Sequence, residues 1–468
     1  MRTRSIKSGR ILVLLAVLAL IAAACTTAAS PSAPATAAPA TAAPATAAPA
    51  TPATPGETVV VCELAYYTGP FAPYGNALTS DVRFPIKEVI NLDPPLNRQW
   101  SLVSEDIGTV GEATAAKTCL EKWGAEILVS IAHEYRTYRD FMMDTWQEKD
   151  SPLGPSVHGG AIPGNVGGKS AEPIFRAQGL DQGLGVFASM HASNIGAKSV
   201  VIFATQIEGF QAAANAAEGA AKELGLNVLA RINAEAQQAS YMTVAQQIAN
   251  LKPDAVIVQA GSVESATLIK QASEAGLIIN WIGETGWSEA DFLKTLGTVP
   301  ITSQKGIGFA SFAPNTTTPA WAFYQPLRDK LPEYTQYYSA SQQYAFSTYD
   351  LMVHTALAVE AAGSYKASAW APAMFKVGDP PGEVCYTYAD CLKLIREGKD
   401  VDYEGVTGPG SYTDGGVNAV TPAYTPFNAD GTTGTPVLLD AAQALAILDK
   451  VKSEAKCDPA SPPNKCQW

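Results

Sequence analysis

Between residues 199 and 310, short apolar runs alternate with stretches whose hydrophobic positions recur every three to four residues, predicting strands alternating with helices. The strands are SVVIFA (Ser199 to Ala204), NVLARI (Asn227 to Ile232), DAVIVQAG (Asp254 to Gly261), IINWIG (Ile278 to Gly283) and KGIGFA (Lys305 to Ala310). The helices are Phe210 to Leu224, Tyr241 to Asn250, Ser265 to Ala275 and Glu289 to Leu296, with Gly225, Gly276 and Gly297 at the stops. Strands separated by helices in this way define an α/β fold with a parallel, doubly wound sheet.

The preceding segment keeps the same rhythm. TVVVCELAY (Thr58 to Tyr66), WSLVSEDI (Trp100 to Ile107) and AEILVS (Ala125 to Ser130) are strands, with helices over Thr79 to Ile90 and Glu112 to Trp123. Two runs of similar size predict two lobes of one architecture, with a seam near Gly179 to Gly185. If the first three strands take the order 2-1-3, the crossover into the third passes over the first. The helix bearing Cys119 then lies on the strand bearing Cys62, where a bridge is sterically sensible, two free buried thiols being the alternative. Beyond Ala310 a long helix spans Tyr344 to Ala362, a Cys-bearing helical segment Ala389 to Glu397, and a last helix Asp440 to Lys452. GVTGPGSYTDGG (Gly405 to Gly416) is too rich in glycine for a regular element and reads as a crossing strand and turn.

The ends of the chain read differently. A basic start and an apolar stretch from Ile11 to Ala24, short for a bilayer span, lead into IAAAC ending at Cys25. IAAAC resembles a lipobox, which implies cleavage before Cys25 and lipidation of its thiol; an ordinary cleaved signal is the alternative. Residues 26 to 57 are Ala, Pro, Thr and Ser, with ATAAP repeated from Ala35 to Pro49, and read as a solvated tether or an O-glycosylated stalk. The tail CDPASPPNKCQW reads as disulfide-closed.

Composition narrows the partners. From Cys25 onward 28 basic residues face 44 acidic ones, a net charge of −16, which repels nucleic acid and anionic lipid. Setting Cys25 aside leaves six cysteines, an even count that suits disulfides in an exported chain. Spacing favours Cys385 with Cys391 and Cys457 with Cys466, leaving Cys62 with Cys119; a zinc site is the rival, without any C-x-x-C pair to support it.

Catalytic signatures are sparse. GGKS (Gly167 to Ser170) echoes a phosphate loop, but Pro163 stands where its first glycine belongs. No G-x-S-x-G, G-x-G-x-x-G or H-E-x-x-H occurs, and His133, His158, His191 and His354 lie far apart. His354 reads as a core histidine, and Trp287 as either a lid or a packing residue.

YYTGPFAPYGNAL (Tyr66 to Leu78), FRAQGLDQGLG (Phe175 to Gly185), GAKSVVIFATQIEGFQAAANAAEGAAKELG and LKPDAVIVQAGSVESATLIKQASEAGL together resemble the type I substrate-binding proteins of ABC importers, in the branched-chain amino acid branch. YDLMVHTALAVEAAGS and YEGVTGPGSYTDGG fit as well, and the resemblance covers about Val59 to Leu448. It implies two Rossmann-like lobes joined by a three-strand hinge, with crossings near Gly179, Ala310 and Ser411. The expected organisation is a signal peptide over 1–24, a tether over 25–57, an N-terminal lobe over 58–179 plus 310–411, a C-terminal lobe over 180–309 plus 412–452, and a closed tail over 453–468.

The resemblance also implies a ligand site between the lobes. Its first-loop aromatic falls on Tyr74. The glycine and serine that hold a ligand carboxylate fall on Ser130 and, within one residue, Glu134, beside His133 and Tyr135. Gly160 precedes Ala161 and Ile162, where a threonine hydroxyl is lost. The second lobe contributes Ile207 and Glu208, Gly261 and Ser262, and Glu284 and Thr285, one of the last pair matching the acid that holds an ammonium. A carboxylate ligand beside Glu134 would meet repulsion of about 1 kcal/mol at 4 Å even in water, and more in a closed cleft. A cationic, amide-like or polyol ligand fits this set, with Glu134, Glu208 and Glu284 as acceptors and Tyr74 and Tyr135 as stacking walls; Glu134 as a solvated rim charge is the alternative.

The functional expectation is a lipid-anchored extracytoplasmic receptor, monomeric and without cofactor, metal or catalysis, that takes a small polar ligand and passes it to ABC permease subunits. It touches the membrane through its lipid alone. The rivals are an exported hydrolase or lyase with His133 and Glu134 as general acid and base, and a sensing subunit of a signalling receptor.

Overall fold

The computed structural model describes residues 58–68, 72–130, 135, 138–150, 155–156, 167–169, 174–418 and 420–455. Expectations for Cys25, the tether, His133, Glu134, Gly160, Ala161, Ile162, Cys457 and Cys466 lie outside these residues.

Strand β1 (Thr58–Ala65) is apolar nearly throughout because it is covered on both faces, with Val61, Cys62 and Leu64 fully buried. It pairs in parallel with β2 (Gln99–Asp106) and β3 (Ile127–Ser130), and β4 (Pro155–Ser156) and β5 (Phe175–Arg176) extend the sheet in the order β2-β1-β3-β4-β5. This is the expected 2-1-3 start, and the helix Glu112–Glu121 lies over β1. Cys62 and Cys119 are bonded there, with their Cα atoms 5.7 Å apart. The first helix, Ala72–Glu88, begins seven residues before the expected Thr79, so Tyr74 stands in its first turn instead of in a loop.

The second sheet is built from β6 (Ser199–Thr205), β7 (Asn227–Ala234), β8 (Ala255–Gln259), β9 (Asn280–Gly283) and β10 (Gly306–Ala313), parallel in the order β7-β6-β8-β9-β10. Val201, Phe203, Val256 and Val258 face Ile248 and Leu268 on one side, while Ile202 and Ile257 face an alanine-rich helix on the other. Burial of both faces explains why β6 and β8 are continuous apolar runs without alternation. Gly225 (φ 72°) and Gly276 (φ 80°) end their helices in the left-handed conformation that the sequence asks of them.

Two antiparallel strands extend this sheet beyond the parallel set read from the sequence. After a small separate sheet of β11 (Glu383–Cys385), β12 (Val401–Gly405) and β13 (Gly408–Pro409), the chain returns as β14 (Thr421–Pro426) against β10, followed by β15 (Val437–Leu438). The Cys385–Cys391 bridge ties β11 to the helix Tyr388–Arg396, with Cα atoms 5.3 Å apart. Gly167 and Gly168 lie in a turn packed on Gly415 and Gly416, and Lys169 pairs with Asp414 at 2.7 Å, which commits the lysine of GGKS to a carboxylate. His354 is buried with Nε2 2.6 Å from the Met374 carbonyl, as a core histidine should be.

The glycines read as a seam have another use. Residues Asp181–Asn194 form a helix buried on nearly every side, without the polar stripe that would have announced it. A Cβ on Gly185 would stand 1.9 Å from the Ala213 carbonyl oxygen, so its absence lets this helix lie directly on Glu208–Glu223. Helix propensity alone would make Gly185→Ala stabilising by about 1 kcal/mol. The clash outweighs it, and the variant is expected to lose about 1–3 kcal/mol in urea unfolding; a gain would show that the two helices have slack.

Candidate functional site

Parallel strands leave their carboxyl ends, and the helix N-termini that follow, on one edge of a sheet, where clefts form. At that edge of the second sheet lies a cavity of about 850 Å³. One wall carries Gly261, Ser262 and Glu264 after β8, and Ser288, Glu289 and Asp291 after β9. The facing wall carries Tyr74 and Ala77 from the first helix, and Gln336, Tyr337 and Tyr338 from the segment before the long helix Gln343–Ala362. Ile207 and Phe210 close one end.

Of the residues expected at the ligand, Tyr74, Ile207, Gly261 and Ser262 are therefore brought together on one cavity. Glu208 opens the helix Glu208–Glu223 beside them. Tyr135 is buried elsewhere, with its ring edge-on to Tyr138 at 5.3 Å. Glu284 and Thr285 sit behind the cavity wall. The Glu284 carboxylate accepts the Gly286 N–H at 2.8 Å, capping the turn Thr285–Ser288, and the Thr285 hydroxyl lies 3.2 Å from the Tyr344 hydroxyl. Trp287 is fully buried over Gly283 and stacked on Phe292 at 4.7 Å, so it packs the second lobe and is not a lid.

Among the described residues three acids meet the cavity, Glu264, Glu289 and Asp291, and the buried one is Glu289, which sequence reasoning had taken only as a helix start. It is the N-cap of Ala290–Leu296 and buried, and its Oε1 accepts the Tyr338 hydroxyl at 3.0 Å. Burial lifts its pKa to about 7 against the opposing pull of that bond, and burial likewise lifts Glu284 to about 7. Tyr74, edge-on to Tyr344 with centroids 6.4 Å apart, has its hydroxyl pKa raised by burial and by the nearby charges of Glu289, Tyr344, Glu284 and Glu264. The signal that could have found Glu289 and Glu264 is positional: they stand six and five residues past the ends of β9 and β8, where cavity walls are built.

These carboxylates make stability depend on pH. Glu63 in β1, Glu284 and Glu289 all hold their protons to about pH 7, above the ordinary carboxylate value of 4.5, chiefly because burial penalises the charge. The folded chain thus binds more protons than the unfolded chain between pH 4.5 and 7. The stabilisation is complete below that window and lost as pH rises through it. The melting temperature of the unliganded protein is expected to fall from pH 5 to pH 8, and Glu63→Gln should flatten the profile; a rising profile contradicts buried, proton-holding carboxylates.

Among the described residues no group of three His, Cys, Asp or Glu has metal-binding geometry, and no helix is long and apolar enough to cross a membrane.

Two α/β sheets with a cavity at the carboxyl ends of parallel strands define the class of two-lobed binding proteins. The family model described as "Periplasmic binding protein" matches residues 58–425, and the chain belongs to that family, with the type I fold. Among solved structures, it is similar to the branched-chain amino acid transporter substrate-binding protein of Streptococcus pneumoniae in complex with isoleucine, at 17% identity and a TM-score of 0.63 over 82% of this chain and 99% of that one. A leucine-binding protein of Thermotoga maritima shows 16% identity and a TM-score of 0.64 over 82% and 100% of the two chains. A solute-binding protein of an R. palustris ABC transporter in complex with benzoate shows 16% identity and a TM-score of 0.61 over 82% and 95%. No curated protein sequence matches the chain.

Proposed function

We propose that this chain is a lipid-anchored, extracytoplasmic solute-binding protein of an ABC importer, which captures a small polar ligand between two closing lobes and hands it to permease subunits unchanged. The lobes are 58–179 with 310–411, and 180–309 with 412–452, and the hinge is the three crossings near Gly179, Ala310 and Ser411. Cys25 carries the lipid, and the Ala/Pro/Thr segment holds the body away from the membrane. The chain acts as a monomer and calls for no cofactor. The observation that carries this reading is the cavity walled by Tyr74 and Ala77 on one side and by Ile207, Gly261 and Ser262 on the other. Hinge closure between such walls buries a ligand without any reacting group. The named ligands of structural neighbours, isoleucine and benzoate, are small organic molecules of the size this cavity admits.

The test pairs thermal shift against a metabolite panel with a turnover assay on each stabilising compound. Stabilisation with the compound recovered intact is the expected result. Conversion of the compound would overturn it in favour of an exported hydrolase or lyase.

A further inference from the structure

The cavity has a chemical bias that the binding-protein reading does not state. Three of its lining residues, Glu264, Glu289 and Asp291, are acidic, and no lysine, arginine or histidine lines it among the described residues. Two further acids, the buried Glu284 and the half-buried Asp181, stand close behind. The Asp181 charge adds to the burial that raises Glu284, and both act with Glu289 on the Tyr344 hydroxyl. The basic groups nearby are committed elsewhere or lie outside: Arg176 acts on Asp181, Arg328 is bonded to Asp81, and Lys294 reaches Asp291 at 3.7 Å from an exposed position.

A helix N-terminus is the usual refuge for a ligand carboxylate in such a cleft. Here the two helices that open on the cavity after β8 and β9 carry their own acids in the first turn, Glu264 and Asp291. The Glu264 carboxylate folds back against Gly261, close enough that a Cβ there would stand 2.4 Å from Oε2, and its Oε1 accepts the Gln237 N–H at 3.2 Å. The positive end of that helix is already neutralised from within the chain. Opposite these acids stand the rings of Tyr74, Tyr337 and Tyr338, whose faces attract a positive charge. Among the described residues the hydrogen bond to the Glu289 carboxylate comes from Tyr338 to Oε1, which leaves Oε2 to accept from a guest.

Resting on the binding-protein reading, we propose that the ligand of this cavity is a small organic cation, an ammonium or guanidinium without a free carboxylate, held by the Glu289 carboxylate and walled by Tyr74 and Tyr338. Bound cation replaces the missing counter-charge of Glu289, so binding draws the proton off that group and weakens in acid. Among the described residues, the groups that bear on Glu289 from the elements packed around it are Tyr338, Asp291, Asp81, Tyr74, Tyr344 and Glu284, all acids or phenols, and the cation beside them, Arg328, is bonded to Asp81 and to the Tyr338 carbonyl.

Titration calorimetry of the full chain with choline, putrescine and agmatine, against isoleucine and benzoate as carboxylate probes, tests this at pH 8 and pH 5.5. At least one cation is expected to bind one-to-one at pH 8 and neither carboxylate to match it. Lost charge pairing should weaken that cation about 10- to 100-fold in Glu289→Gln, and about tenfold or more at pH 5.5. Glu264→Gln, on another element, guards against a folding defect and should weaken the same cation without altering the stoichiometry. Tighter binding of isoleucine or benzoate overturns the cation assignment and leaves the binding-protein reading standing. Unchanged cation affinity in both variants also overturns it, and no binding by any probe counts against both readings.

Discussion

Arg328→Met is expected to destabilise the folded chain by about 3–5 kcal/mol at pH 8, because it leaves a buried carboxylate without its counter-charge. Asp81 in the helix Ala72–Glu88 and Arg328 in the helix Pro319–Asp329 are both fully buried, with Nη2 2.5 Å from Oδ1. Burial pushes the Asp81 carboxyl up, and the guanidinium opposes that push. Without Arg328 only the upward push remains, so Asp81 takes a proton more readily and the loss should shrink between pH 8 and pH 5. The pair is imperfectly satisfied: among the described residues Asp81 Oδ2 and Arg328 Nε and Nη1 have no partner. Replacing both residues, as Asp81→Leu with Arg328→Met, is accordingly expected to cost less than Arg328→Met alone. Urea unfolding of the two variants at both pH values checks the sequence of effects, and equal stability of wild type and Arg328→Met at pH 8 would contradict it. The pair also reaches the cavity, because Arg328 Nη2 donates to the Tyr338 carbonyl at 3.3 Å.

Removing the Cys62–Cys119 bridge by double alanine substitution is expected to cost roughly 4 kcal/mol, against roughly 2 kcal/mol for Cys385–Cys391. The difference comes from the unfolded chain. The first bridge closes 57 residues and the second only 6, so the first removes more freedom from the denatured ensemble. The first also fastens a helix to β1, an interior strand of its sheet, and both cysteines are fully buried. Chemical unfolding of the two double variants in parallel checks the order, and an equal or reversed ranking would place the stabilisation in native contacts instead of loop closure.

The parallel sheet from β6 to β10 was legible because apolar runs such as β6 and β8 alternate with amphipathic helices, and the 2-1-3 order, taken as a condition, is the one under which the helix bearing Cys119 reaches the strand bearing Cys62. The helix Asp181–Asn194 was not legible, since a helix buried on all sides has no period of polarity and its Gly183 and Gly185 imitate a loop. The small sheet β11-β12-β13 was hidden for a different reason: its strands are two to five residues long, and β11 has Glu383 and Val384 exposed. At the cavity, Tyr74, Ile207, Gly261 and Ser262 came from the resemblance. Glu284 was drawn from the same source, yet its carboxylate serves the Gly286 N–H, and the acids that this loop puts on the wall are Glu289 and Asp291, five and seven residues on. A strand-end rule gives the right loop, but which acid turns outward depends on the cap of a four-residue turn, which tertiary packing decides.

Native mass spectrometry of the protein after incubation with the metabolite panel tests the central claim most directly. The account predicts a complex of one chain with one small molecule, released on unfolding with the mass of the free compound. A released species of altered mass, or no complex with any compound, would contradict it.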